Sequence, residues 1–282
     1  GQLPATGRAP VSMFSERLGV VGGSAAAATG RDVAVLKARA TNITPAVLAP
    51  FVAPGTLDEL SGTIDATLEA ATPTLELADL TGELRIDRFD VRLAELPVTQ
   101  SVPTRMVARD GVARVESWEW IGQGTTLTVR GQVGLEDRQA ALMADGTLDL
   151  RLLTPFVRAA GMTTPGRLEQ RLSITGSLDS PRLDGDVVVT DGELRLADPR
   201  VIVSDLSVRT VLTGTTARIT ELTGSANGGA VTGGGTVEYA SDQGLQAQLS
   251  TGIRGMAVEY PEGLRSELDA DLNFTFRAPP AT

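Results

Sequence analysis

The stretch Leu127-Thr128-Val129-Arg130-Gly131-Gln132-Val133-Gly134-Leu135 puts an apolar residue or glycine at every odd position, with Thr128, Arg130 and Gln132 between them. Successive side chains of an extended strand leave opposite faces, so this period of two describes a strand with one dry and one wet side. The same period runs through Leu148-Asp149-Leu150-Arg151-Leu152, through Leu172, Ile174, Gly176 and Leu178, through Leu245, Ala247 and Leu249, and from Leu268 to Phe276. Helical periodicity is far rarer, and the chain reads as all-β.

Turn chemistry separates these runs. Asp110-Gly111, Asp145-Gly146 and Asn227-Gly228 carry the residues that tight turns require. Asp191-Gly192, between Asp186 to Thr190 and Glu193 to Ala197, predicts a two-residue hairpin and antiparallel pairing. From Leu84 to Leu93 the apolar parity switches around Asp87-Arg88, which predicts a bulge and a bent sheet. Two or three short helices are expected, the clearest beginning at Thr44-Pro45 and Thr154-Pro155, where a capping residue precedes proline. Residues 1–30 permit no assignment.

Composition narrows the function. The 282 residues include neither Cys nor His, so thiolate metal ligands, disulfides and the commonest general base are all missing. Thirty-five acidic against 25 basic residues give a net charge of -10, with no Lys/Arg run able to track phosphates, which speaks against nucleic-acid binding. Aromatics make up only 4%, so the core is aliphatic. No stretch reads as a signal peptide or as a membrane-spanning helix. Carboxylate pairs such as Glu136-Asp137 and Asp269/Asp271 fall on polar faces and read as solvated charge rather than a catalytic site. The Gly228 to Gly235 stretch lacks the Lys-Ser/Thr ending of a phosphate loop, and its glycines mark bends or places where facing backbone comes close. No cofactor and no catalytic or metal site is expected.

The chain also repeats itself. Ala113-Arg114-Val115 recurs as Ala217-Arg218-Ile219, 104 residues on, and Gly62, Leu127, Gly131 and Val133 are matched at the same spacing by Gly166, Val231, Gly235 and Val237. Leu268 to Thr275 begins another copy. The expected organisation is a lead-in over 1–40, repeats over 41–144 and 145–249, and the start of a third over 250–282. Units of this length are small sheets, which stack into an array when none buries its own apolar face. A second arrangement, in which each repeat closes its own barrel or sandwich, fits the same pattern.

One common face is expected to carry Leu127, Val129, Val133 and Leu135, then Leu148 and Leu150, then Leu172 and Ile174, then Val187 and Val189. Val231, Val237, Leu268, Leu272 and Phe274 complete it. Trp118 and Trp120 flank Glu119 and share a face opposite that carboxylate, as core packing or the lip of a groove.

Leu172-Ser173-Ile174-Thr175-Gly176 followed by Asp179-Ser180-Pro181-Arg182-Leu183-Asp184-Gly185-Asp186-Val187-Val188-Val189 resembles the TamB family and its AsmA-like relatives. Leu153-Thr154-Pro155-Phe156 and the segment from Gly229 into Thr236-Val237-Glu238-Tyr239 add to the resemblance. The resemblance implies an elongated, curved antiparallel sheet, a U-shaped β-groove with a greasy interior. It further implies a periplasmic protein anchored to the inner membrane through a segment outside this chain. The implied roles are phospholipid transport between the membranes and support of outer-membrane protein and autotransporter assembly. Its partners would be phospholipid acyl chains, held by the face named above, and a TamA-like outer-membrane protein. A structural or adhesive β-solenoid with a closed core is the other reading of the same alternation.

Overall fold

In the computed structural model the described residues are 8–15, 19–28, 33–44, 60–74, 76–93, 96–153, 165–196, 201–240, 244–259 and 265–278. The side chains of residues 8–33 are not among them. The chain divides into two compact units, one of residues 1–143 with 177–179, the other of residues 144–176 with 180–282. Nearly all described residues are strand, as the alternation requires.

In the first unit β1 (Arg8–Ser15) pairs antiparallel with β2 (Gly19–Ala28), which pairs with β3 (Val33–Ile43), then β4 (Leu60–Thr72) and β5 (Thr81–Leu93). Beyond β5 the strands split end to end. β6 (Leu96–Gln100) and β7 (Thr104–Arg109) both pair with β5. β8 (Val112–Ser117) pairs with β7, β9 (Glu119–Gly122) with β6, and β10 (Thr125–Gly134) with both β8 and β9. The break between β6 and β7 falls at Pro103, which has no N–H to give to a ladder. Gln100 bridges it: its Nε2 donates to the Ile86 carbonyl at 3.0 Å, while its Oε1 accepts from the Thr104 backbone N–H at 3.3 Å.

Strand β11 (Gln139–Asp149) is followed by the strands of the second unit, which form a plain meander. β12 (Arg167–Ser177), β13 (Arg182–Leu196), β14 (Val201–Thr213), β15 (Thr216–Ala226), β16 (Gly229–Ala240), β17 (Gly244–Glu259) and β18 (Arg265–Ala278) each pair antiparallel with the next.

Asp110-Gly111 and Asn227-Gly228 are tight turns with positive φ at both residues, 52° and 72° in one and 44° and 86° in the other, the mirror-image turn that suits twisted strands. The bulge expected near Asp87 is present, since Asp65 pairs with Arg88 and Ala66 with Ile86, leaving Asp87 unpaired. Asp191-Gly192 is not a hairpin. Only Asp191 takes positive φ (53°), so the chain does not reverse, and the register of β13 shifts on either side of Gly192 as a bulge. Asp145-Gly146 likewise lies inside β11. The strand expected at Leu148 to Leu152 stops at Asp149, because Leu150–Leu153 curl into a 3₁₀ turn. Asp149 accepts the Arg151 backbone N–H at 2.9 Å, and its carboxylate lies 2.6 Å from Arg151 Nη2. The two clearest of the expected helices lie outside the described residues.

The buried core is small. Among the described residues no large side chain is fully buried. The tightest cluster is Ala226, Val231 and Met256, with Val201, Val203, Leu222, Ile253 and Val258 against it. Strand ladders and partial burial hold each unit together.

Candidate functional site

Directly paired residues of an antiparallel sheet project from the same face, so the register assigns faces without ambiguity. In the second unit Leu172 pairs with Gly185, Gly185 with Leu212, and the row continues through Ala217, Val237, Ala247 and Phe276. The next row runs Gln170, Val187, Thr210, Ile219, Gly235, Leu249 and Phe274. A third runs Leu168, Val189, Val208, Leu222, Gly233, Thr251 and Leu272. All seven strands therefore share one apolar face. The reverse face carries pairs such as Arg171 with Asp186, Arg209 with Glu221 and Gly252 with Asp271, and Arg254 reaches Asp271 at 2.7 Å.

The apolar face is not sealed. Leu272 is 38% exposed, Phe274 53% and Phe276 56%, whereas facing side chains in a closed sandwich would cover them. At one end the face is gathered into the Val231 cluster. At the other it opens into a cavity of about 230 Å³ lined by Leu183, Leu212, Ala217, Val237 and Tyr239.

The first unit shows the same division. One row runs Ala38, Leu68, Leu84, Met106, Val115 and Gly131, and Val133 sits beside it opposite Ala113. Trp120 lies opposite Gln100 and Leu127, and its ring stacks on Phe89 with centroids 4.3 Å apart. The reverse face carries a charged row in which Lys37 pairs with Glu69, Glu69 with Glu83 and Glu83 with Val107. Two carboxylates directly opposite one another repel. Lys37 Nζ at 3.1 Å from Glu69, and Arg105 gripping Glu83 through two bonds of 2.9 and 2.8 Å, offset that repulsion.

The bidentate Arg105 holds the Glu83 carboxyl below its ordinary pKa of 4.5. A carboxyl depressed in the folded state contributes stability that is present above 4.5 and fades as pH falls through the lower folded value. Carboxyl-detected NMR titration of Arg105→Gln is expected to show Glu83 moving upward, since the guanidinium is gone while Glu69 stays opposite. An unchanged Glu83 would contradict this.

The register puts Leu172, Ile174, Val187, Val189, Val231, Val237, Leu268, Leu272 and Phe274 on the apolar face of the second unit. Leu127 and Val133 are on that of the first, and Val129, two residues on from Leu127 in β10, projects to the same side. Leu148 is half-buried near the end of β11. Two residues leave the ladders. Leu135 follows β10 and donates its N–H to the Gly111 carbonyl at 2.8 Å, while Leu150 is buried in the 3₁₀ turn and bonds the Gly166 carbonyl at 2.9 Å. The residues missed from sequence include Leu206, Val208, Leu212, Leu222, Ile253 and Met256. Bulges hid Leu222 and Met256: between Ile219 and Leu222, and between Ile253 and Met256, the register shifts, so the apolar residues change parity within one strand.

Among the described residues no group of three or more acidic side chains could hold a metal ion, and no helix is long and apolar enough to cross a membrane. What the apolar faces offer chemically is chiefly hydrocarbon area, interrupted in the second unit by Gln170, Thr210 and Thr251. Comparison with curated proteins and with solved structures returned no match. Residues 118–281 match the TamB C-terminal domain family, whose members are inner-membrane-anchored, periplasm-spanning components of outer-membrane assembly. With more than half of its length matched, and with an all-β antiparallel fold, this chain belongs to the TamB family.

Proposed function

We propose that the apolar face of each unit is a stretch of groove along which phospholipid acyl chains move through the periplasm between inner and outer membrane, in support of outer-membrane protein and autotransporter assembly with a TamA-like partner. The observation that carries this reading is the apolar face shared by seven strands of the second unit, partly buried along its length and open at Leu272, Phe274 and Phe276, backed by a charged reverse face. Burying hydrocarbon on such a face contributes roughly 0.8 kcal/mol per methylene, so binding needs no polar anchor. Without fixed hydrogen-bond partners a lipid tail loses nothing on moving from one row to the next. The matches at 104 residues, such as Val133 with Val237, extend the same surface chemistry from one repeat to the next.

The exposure of Leu272 and Phe274 favours an open face over a solenoid core closed on itself. Photo-reactive residues at Val133 and Val237 are expected to give phospholipid adducts in cells, and residues at Arg130 and Glu238, on the reverse face, none. Adducts confined to Arg130 and Glu238, or found at none of the four, would refute the groove.

A further inference from the structure

The chain has two tryptophans, and both lie together in the first unit. Trp118 sits at the break between β8 and β9, its ring 5.3 Å from that of Trp120 and tilted by 49°. Both indole nitrogens are buried, and among the described residues neither finds an acceptor. A buried indole N–H ordinarily has one. Gln100, which pairs with Trp120 across β6 and β9, is committed elsewhere, because its Oε1 already accepts from the Thr104 backbone and Thr104 Oγ1 at 3.3 and 3.4 Å.

We infer that Trp118 and Trp120 form a hydrogen-bonding station on the apolar face, one that takes the ester carbonyls of a diacyl lipid. This rests on the groove proposed above and adds a place where the lipid is recognised rather than merely dissolved. Water does not reach the two nitrogens where they stand, and an apolar molecule that carries its own acceptor meets them without wetting the face. An ester-linked lipid brings two carbonyls at the head of two hydrocarbon tails, matching two neighbouring donors in aliphatic and aromatic surroundings. The rings are only partly buried, so a turn about the side-chain bonds presents each N–H as the lipid docks.

The station belongs to one unit alone. The Trp120–Leu127 pair corresponds, 104 residues on, to the Gly224–Val231 pair, and Trp118 corresponds to Leu222. The second unit has no donor at these positions, so lipid slides there and pauses at the first.

Intrinsic fluorescence of the 282-residue chain reads the station directly, since no other tryptophan contributes. The probes are a short-chain diester phosphatidylglycerol and its diether analogue of equal chain length. The ester is expected to bind about fivefold more tightly, the fold-change of one typical hydrogen bond. Trp118→Phe and Trp120→Phe each keep an aromatic ring and remove one donor. Read at the remaining tryptophan, each is expected to shrink the preference while ether binding stays unchanged, with circular dichroism verifying the fold. Equal affinity of the unmodified chain for ester and ether overturns the station and leaves the groove standing. A preference that survives in both variants overturns it too. Binding of neither lipid, together with failed crosslinking at Val237, overturns station and groove alike.

Discussion

Val231→Asp is expected to unfold the second unit, while Val237→Asp, six residues along the same strand and on the same face, leaves it folded. Val231 is 6% exposed and packs with Ala226 and Met256, against which Val203, Leu222 and Ile253 close. A carboxylate there has no cation within the cluster and displaces a well-fitted side chain, at a cost of about 3–5 kcal/mol. Val237 lies between Ala217 and Ala247 and lines the open cavity beside Tyr239, which is 46% exposed. Water can solvate a carboxylate in that position, so the loss should stay near 1 kcal/mol. Urea unfolding followed by circular dichroism separates the two. Folded Val237→Asp that no longer yields lipid adducts further along the face would tie the effect to the surface itself. Equal destabilisation by both substitutions would mean the face is closed, and the groove reading would fail.

The strands were legible because period two survives wherever pairing is regular, as from Leu127 to Val133 and from Leu245 to Leu249. The turns at Asp110-Gly111 and Asn227-Gly228 were legible because two consecutive positive φ angles demand those residues. Asp191-Gly192 has the same composition and does something else, since Gly192 stays out of the positive-φ region and β14 holds both flanks. Local chemistry offered a hairpin, and the neighbouring strand selected a bulge. Bulges also explain two overlooked members of the apolar face, Leu222 and Met256: Met256 follows a one-step register shift, so alternation counted from Leu245 assigns it to the wrong side. The split of β6 from β7 depends on Gln100 reaching the Ile86 carbonyl across strands, a contact with no local signature. The aromatic cluster was half legible. Parity joined Trp118 and Trp120, but Phe89 reaches them only through the pairing of β5, β6 and β9.

Gly185→Ala is expected to cost about 3 kcal/mol or more and to loosen the pairing of β12 with β13, because two separate penalties fall on one methyl group. Its φ of +142° is open to glycine and strained for any other residue. A Cβ built there would lie 2.0 Å from the Arg171 carbonyl oxygen and 3.1 Å from the Leu172 Cα. These are backbone atoms, which cannot swing aside as a side-chain tip would. Gly185 stands between Leu172 and Leu212 in the first apolar row, so the missing side chain lets the two leucines face each other across a close-set backbone. Pushing β13 away would open that row and shift Val187 and Val189 with it. Gly228→Ala is the matched control, since its φ is also positive (+86°) yet nothing lies within 4 Å of the added carbon. That change should cost about 1 kcal/mol, the penalty for a left-handed residue alone. Urea midpoints of the two variants, with amide hydrogen exchange at Leu172 and Ile174, measure the difference. If Gly185→Ala proves no worse than Gly228→Ala, and exchange at those amides stays slow, the close approach of β12 and β13 is not what keeps the apolar row in register.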